Sequence, residues 1–226
     1  MDLLPYASLF LHISAGALTL LAGPVAIYYN ARHPQRHRLA GRVFFYAMLV
    51  VCISSAGGYL KRPEQVFYQF LMGIAALVLA NVLRGVRAVR LMNGAPVHAA
   101  DWFCGLLLGL TGLGMSGMAL RLSQAGTSTA LVILFGVFGL ASLLDSAGHL
   151  PKLLRARQLH RLDWLRVHVA SMLGAFIAST TAFTVNAAPF LPWYLQWFGP
   201  TLLLVPLQVY FGRKLRLQKE QVLRAA

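Results

Sequence analysis

Long apolar segments alternate with short polar links along the whole chain. The apolar segments are 18 to 26 residues long, the length needed to cross a bilayer core of roughly 30 Å. They cover residues 4–29, 43–60, 66–83, 102–120, 129–147, 167–186 and 192–211. The pattern predicts an all-α fold, a polytopic bundle of seven transmembrane helices. It also predicts a single transmembrane domain over residues 1–226, of which residues 212–226 form a basic cytoplasmic tail.

The basic residues predict the orientation of these spans. Seventeen of the twenty lysines and arginines fall in the links at 30–42, 84–101 and 148–166 or in the tail. With seven spans, all four regions lie on one side of the membrane. Cytoplasmic loops collect lysine and arginine, so we expect the N-terminus outside and the C-terminus in the cytoplasm.

The composition is that of a membrane protein, and this changes how the net positive charge is interpreted. Hydrophobic residues make up 58% of the chain, and charged residues only 12%. The net charge of +14 would indicate nucleic acid in a soluble protein. Here the loops account for it, so we expect no nucleic-acid partner. The expected partners are the lipid bilayer and anionic headgroups at the cytoplasmic face, and a homo-oligomer is left open. Cys52 and Cys104 fall in apolar segments, which predicts no disulfide.

Two spans carry stripes of small residues at helical spacing. The fourth span places Gly105, Gly109, Gly112 and either Ser116 or Gly117 on one face, which predicts close backbone contact with another helix. The stripe of the sixth span is small and polar, and it either lines a cavity or packs tightly. It comprises His168, Ser171, Ala175, Ser179, Ala182 and Asn186.

Histidines and aspartates gather at the predicted cytoplasmic end. Asp145 and His149 are four residues apart near the end of the fifth span, so they share a helix face. His168 opens the sixth span, and His37 precedes the second and would point inward beside them. Ionisable groups at membrane depth are costly and mark functional sites. A purely structural role stays open, with Asp145 paired to an arginine of the basic belt.

Three imidazoles and one carboxylate suit a divalent metal such as zinc. The metal ligands predicted in this way are His37, Asp145, His149 and His168. Asp145 would be a ligand, an orienting group or the catalytic base of a hydrolytic site, and Asp163 is a second candidate base. Two histidines on different helices could instead hold a haem. The sequence does not distinguish a redox from a hydrolytic role, or show that the protein is an enzyme.

Two other functions stay open. A transporter or channel for a small solute or ion would use His12 and the polar face of the sixth span, with Ser171, Ser179 and Asn186 along the pathway. No inverted repeat is evident. A short internal similarity is present, because Asp-Trp recurs at 101–102 and 163–164. It reflects either a duplicated helix hairpin or the residue preferences of the membrane boundary. The second alternative is a structural or assembly subunit without a cofactor.

Three short motifs carry a resemblance to a known family. They are HISAG at 12–16, HRLAGR at 37–42 and HVASMLG at 168–174. With them the chain resembles a family of uncharacterised bacterial predicted integral membrane proteins. The resemblance implies a multi-pass protein of the bacterial inner membrane, with His12, His37, Arg38, Gly41 and His168 as positions of interest, and implies no known reaction. A looser, architectural similarity is to seven-helix zinc-dependent membrane hydrolases.

Overall fold

The fold consists of helices joined by short links. It is taken from a computed structural model that describes residues 4–30 and 32–225, and the side chains of residues 8–30 and 32–225. Seven α-helices and one short 3-10 turn, Ala156–Gln158, occur in this part of the chain, and it contains no strand. The helices are α1 (Leu4–Tyr29), α2 (Pro34–Lys61), α3 (Val66–Met92), α4 (Ala99–Gln124), α5 (Thr129–Leu154), α6 (Arg161–Ala187) and α7 (Trp193–Ala225).

Six of these helices, α1 to α6, are long and apolar enough to cross a membrane. The all-α membrane architecture is therefore confirmed. The seventh helix is not among the six. Its apolar part contains Pro200, Pro206 and Gln208, and its last third is basic. The count of seven spans, the single domain and the outward N-terminus stay predictions.

The helices extend well beyond the apolar segments at the basic end. This end is defined as the one where α1, α3, α5 and α7 finish and where α2, α4 and α6 begin. α3 continues to Met92 and α5 to Leu154, while α7 includes most of the predicted tail. Pro34 occupies the first turn of α2, where its missing N–H and fixed φ fit a helix start.

α3 and α6 pack together near the middle of the bundle. α3 also contacts α2, α4 and α5, and α6 also contacts α1 and α7. Apolar side chains of α1, α2, α3 and α6 form one buried cluster, and those of α3, α4, α5 and α7 form a second. A third cluster around Trp164 lies at the basic end. Polar groups of α3 and α6 are therefore enclosed by the helices around them.

α4 and α5 meet backbone to backbone along the predicted glycine stripe. A Cβ placed on Gly112 would stand 2.9 Å from the Gly139 carbonyl oxygen, and one on Gly139 would stand 2.8 Å from the Ser116 nitrogen. At Gly117 a Cβ would meet nothing within 4 Å. The packing role predicted for the stripe is thus present, with Ser116 rather than Gly117 on the contact face.

Candidate functional site

An ion pair between α3 and α5 is the centre of the polar structure at the basic end. Arg84 donates two hydrogen bonds to Asp145, Nη1 to Oδ1 at 2.8 Å and Nη2 to Oδ2 at 2.7 Å. Its Nε donates to Ser171 Oγ at 2.9 Å, and Nη2 also donates to Asn81 Oδ1 at 2.7 Å. The Arg84 side chain is only 6% exposed, whereas that of Asp145 is 39% exposed. One guanidinium therefore ties α3 to both α5 and α6.

This pairing matches the structural role left open for Asp145. Both of its carboxylate oxygens accept bonds from Arg84, so a metal would have to compete with a bidentate, charge-assisted contact. Ser171 of the α6 stripe is fully buried and accepts from Arg84. It takes part in the ion-pair network and does not line an open channel at this point.

His37 and His168 come together from different helices. Their ring centroids are 6.3 Å apart, with the ring planes at 75°. His37 Nδ1 lies 2.9 Å from the Ala26 carbonyl oxygen, and His168 Nδ1 lies 2.8 Å from the Gly85 carbonyl oxygen. A carbonyl oxygen can only accept, so each Nδ1 carries a hydrogen, and in the neutral imidazole the lone pair is then on Nε2.

His149 is separate from this histidine pair. It is 3% exposed and packs against α4, with its Cδ2 3.4 Å from the place a Cβ on Gly105 would take. Neither ring nitrogen has a hydrogen-bond partner among the described residues. A buried polar group without a partner costs about 1–3 kcal/mol. Ser142 Oγ is the other side-chain group of this kind in the described part of the chain.

The two aspartates that precede tryptophans share another role. Asp101 Oδ2 accepts from the His98 backbone N–H at 2.8 Å, and Asp163 Oδ2 accepts from that of His160 at 3.1 Å. Each aspartate thereby caps the start of its helix. Asp101 also binds Arg87, and Asp163 also binds Lys219. Helix capping explains the two aspartates of the repeated Asp-Trp, and Asp163 is already engaged as an acceptor.

Besides Ser171, two of the predicted pathway residues make contacts between helices, and they do so at separate levels. His12 Nδ1 lies 2.8 Å from Ser54 Oγ, and Ser179 forms a hydrogen bond with Thr19. Asn186 is exposed and donates to the carbonyl oxygen of Ala182 in its own helix.

Aromatic packing separates the Thr19–Ser179 contact from the basic end. The buried rings of Phe44 and Phe176 are 6.4 Å apart, and Phe176 precedes Ser179 on α6 and follows His168. The Phe176 ring also covers Gly23 of α1, where a Cβ would come within 2.5 Å of it. These contacts count against a continuous polar path from His12 to His168.

The structure divides the four predicted metal ligands among three environments. His37 and His168 form a pair, Asp145 binds Arg84, and His149 packs against α4. Within residues 4–30 and 32–225, no group of three or more His, Cys, Asp or Glu side chains is arranged to hold a metal.

Arg84 was not assigned a site role by the sequence, because its position looked like a link after the third span. The i, i+3 spacing of Asn81 and Arg84 was the available signal, since it places both on one face of a longer helix.

Comparison with known proteins agrees with the membrane architecture. Residues 9–100 match a family described as "Predicted membrane protein (DUF2306)". The matched segment covers most of α1, all of α2 and α3, and the start of α4. It includes His12, His37 and Arg84 but neither His149 nor His168. No curated protein and no solved structure matches the chain.

Proposed function

We propose that this integral membrane protein holds a haem iron between His37 and His168 and serves in electron transfer. The observation that carries the proposal is the pair of imidazoles from α2 and α6, whose centroids are 6.3 Å apart. Haem supplies a one-electron couple when it is bound. The residues of the chain would hold the ring, orient it and neutralise its carboxylates.

The separation of the two rings is one that a single iron held between both imidazoles would require. A metal–imidazole bond is about 2.0 Å long, and a ring nitrogen lies about 1.15 Å from its ring centroid. Two imidazoles on opposite sides of one metal would thus have centroids roughly 6.3 Å apart, taking the bond length from. For a tetrahedral metal the same bond lengths give about 5.1 Å, which fits the observed spacing less well.

The backbone contacts of both histidines fit a ligand role. Ligating histidines usually donate their other ring N–H to a carboxylate, a carbonyl or water, which fixes the tautomer and the ring orientation. Ala26 and Gly85 supply such carbonyls to His37 and His168. The Nε2 lone pairs are then the coordinating groups, with no change of tautomer.

The number of ligands favours haem over zinc. Catalytic zinc takes three protein ligands and structural zinc takes four. In the described part of the chain no third His, Cys, Asp or Glu joins the pair to form such a group. Haem would need only two ligands from the protein, because the porphyrin provides four nitrogens.

The start of α2 offers room and positive charge next to the pair. Gly41 lies one turn after His37, and a Cβ there would meet nothing within 4 Å. Arg38 and Arg42 flank this glycine and are exposed. They would pair with the two propionates of a haem whose edge lies against α2.

An absorbance spectrum of detergent-purified protein tests this function. We expect a Soret band, a low-spin six-coordinate spectrum on reduction, and about one haem per chain. His37→Ala and His168→Ala should each lower the affinity for haem by more than about 10–100-fold, which is the cost of removing a residue that only supports a ligand. His33→Ala is the matched control, because His33 is an exposed histidine four residues before His37 and its ring meets that of Tyr29 edge to face.

Two results would contradict the proposal. The first is wild-type protein expressed with haem supplementation that shows no Soret band. The second is equal haem loss in the His33→Ala control. Stoichiometric zinc without haem would favour a hydrolytic role, and protein without any metal would favour a structural or assembly role.

A further inference from the structure

A cleft of about 690 Å³ opens at the basic end between α5, α6 and α7. One part of its wall is apolar and is formed by Val167 and Ala170 of α6 and by Val205 and Val209 of α7. The other part is polar and is formed by Arg84 of α3, by the end of α5, by the start of α6 and by the basic part of α7. An apolar wall beside a charged mouth fits an amphiphile that enters from the membrane.

The charged residues of the cleft are mostly basic. Lys152, Arg166, Arg213 and Arg216 line it beside the Arg84–Asp145 pair. Its two carboxylates are both neutralised within the protein. Asp145 binds Arg84 in a bidentate pair, and Asp163 binds Lys219 at 2.7 Å.

Three of these cations have no acidic partner. Arg216 binds Glu220, whereas Lys152, Arg166 and Arg213 form no ion pair with any carboxylate in the described residues. The cleft therefore presents a net positive potential to a ligand.

His149 supplies a buried polar group to the same cleft. Its imidazole lines the cleft, is 3% exposed and lacks a hydrogen-bond partner for either nitrogen among the described side chains and backbone. Burial of a donor without an acceptor is unfavourable, and an oxygen-rich anion in the cleft would provide the acceptor. This requirement is independent of the exposed cations and points to the same class of ligand.

We propose that this cleft binds a phosphate group, with His149, Lys152, Arg166 and Arg213 as its contacts. Arginine side chains match phosphate oxygens in bidentate geometry, and basic pockets between helices at this boundary bind phosphate headgroups. The phosphate belongs either to an anionic phospholipid, whose chains would follow Val205 and Val209, or to a soluble phosphate. The site is distinct from the His37–His168 pair and does not rest on the haem proposal.

Native mass spectrometry of the full-length, delipidated protein in neutral detergent tests the site. The probes are phosphatidylglycerol and phosphatidylcholine with identical chains, each with and without millimolar inorganic phosphate. We expect phosphatidylglycerol to bind at least about tenfold more tightly, because the cationic choline of phosphatidylcholine is repelled by the lysine and arginines of the cleft. Arg166→Gln and Arg213→Gln should each weaken that binding about five- to tenfold.

Matched variants distinguish a specific binding site from nonspecific attraction of anionic lipid to the basic surface. Arg157→Gln and Arg224→Gln remove the same charge from exposed residues that do not line the cleft, and we expect less than about a twofold change. His149→Leu should weaken binding about fivefold without changing the number of arginines and lysines. Arg213→Lys should bind more tightly than Arg213→Gln, because it keeps the charge and loses only the bidentate geometry. This comparison checks that the loss in Arg213→Gln reflects charge and not misfolding.

Each result supports or overturns the proposal. Equal binding of both lipids, or equal loss in the control and cleft variants, would overturn it. In one outcome, inorganic phosphate displaces phosphatidylglycerol from the wild-type protein but does not displace the weakly bound lipid from Arg166→Gln. That result would support the site and assign it to a soluble phosphate. No displacement, together with the loss in the cleft variants, would assign it to the lipid.

Discussion

Gly112→Ala and Gly139→Ala are each expected to destabilise the bundle by about 3 kcal/mol, at the upper end of the usual cost of overpacking. A Cβ on Gly112 would stand 2.8 Å from the Leu143 nitrogen, and one on Gly139 would stand 2.8 Å from the Ser116 nitrogen. These are backbone atoms, which cannot rotate away as a side chain can. The backbones of α4 and α5 would therefore have to move apart at this contact.

The gain from replacing glycine in a helix does not offset this clash. Alanine is favoured over glycine in a helix interior by roughly 0.5–1 kcal/mol. Gly114→Ala and Gly117→Ala receive that gain without a clash, because a Cβ at either position would meet nothing within 4 Å. The same substitution should thus lower the unfolding temperature at two positions of the α4–α5 contact and leave it unchanged or raised at two others on α4.

The buried free thiols Cys52 and Cys104 provide the measurement. A thiol-reactive fluorescent dye added to detergent-purified protein reports their exposure as the bundle unfolds on heating. If all four glycine variants unfold at the wild-type temperature, α4 and α5 do not pack through Gly112 and Gly139. The same conclusion would follow if Gly114→Ala lowered the unfolding temperature as much as Gly112→Ala.

The membrane helices could be predicted from sequence because hydrocarbon imposes a length and a composition on each span. The glycine stripe of α4 was also visible, because positions three and four apart share a helix face. Its partner Gly139 was not identified. A single glycine in an apolar segment looks the same whether it faces lipid or another helix, and only the packing distinguishes the two.

The polar site was harder to predict because long side chains reach across helices. His37 and His168 were both singled out, and their approach was expected. The position of Arg84 depended on where α3 ends, and the apolar segment stops one residue before it. Once α3 continues to Met92, Arg84 belongs to a helix and its guanidinium reaches α5 and α6. Spacing along one helix shows which face a residue occupies, but not which neighbouring helix supplies its partner.

Asp145→Ala should destabilise the protein by about 3–5 kcal/mol, the usual cost of removing one partner from a buried ion pair. It leaves Arg84, whose side chain is 6% exposed, with only the neutral acceptors of Asn81 and Ser171. Arg84→Met should cost less, about 1–3 kcal/mol. The Asp145 that remains is 39% exposed and lines the cleft that also contains Lys152, so water and a nearby cation stabilise its charge.

The double variant Arg84→Met/Asp145→Leu distinguishes a lost contact from an uncompensated charge. Removing both charges together removes the main penalty of Asp145→Ala, so the double variant should unfold at a higher temperature than that single variant. Arg216 and Glu220 form the matched control pair, because their side chains are 70% and 44% exposed. Glu220→Ala should cost no more than about 1 kcal/mol. If Asp145→Ala and Glu220→Ala lower the unfolding temperature equally, Arg84 is solvated and does not hold α3, α5 and α6 together. If instead the double variant is the least stable of the set, the ion pair stabilises the bundle by more than its desolvation costs.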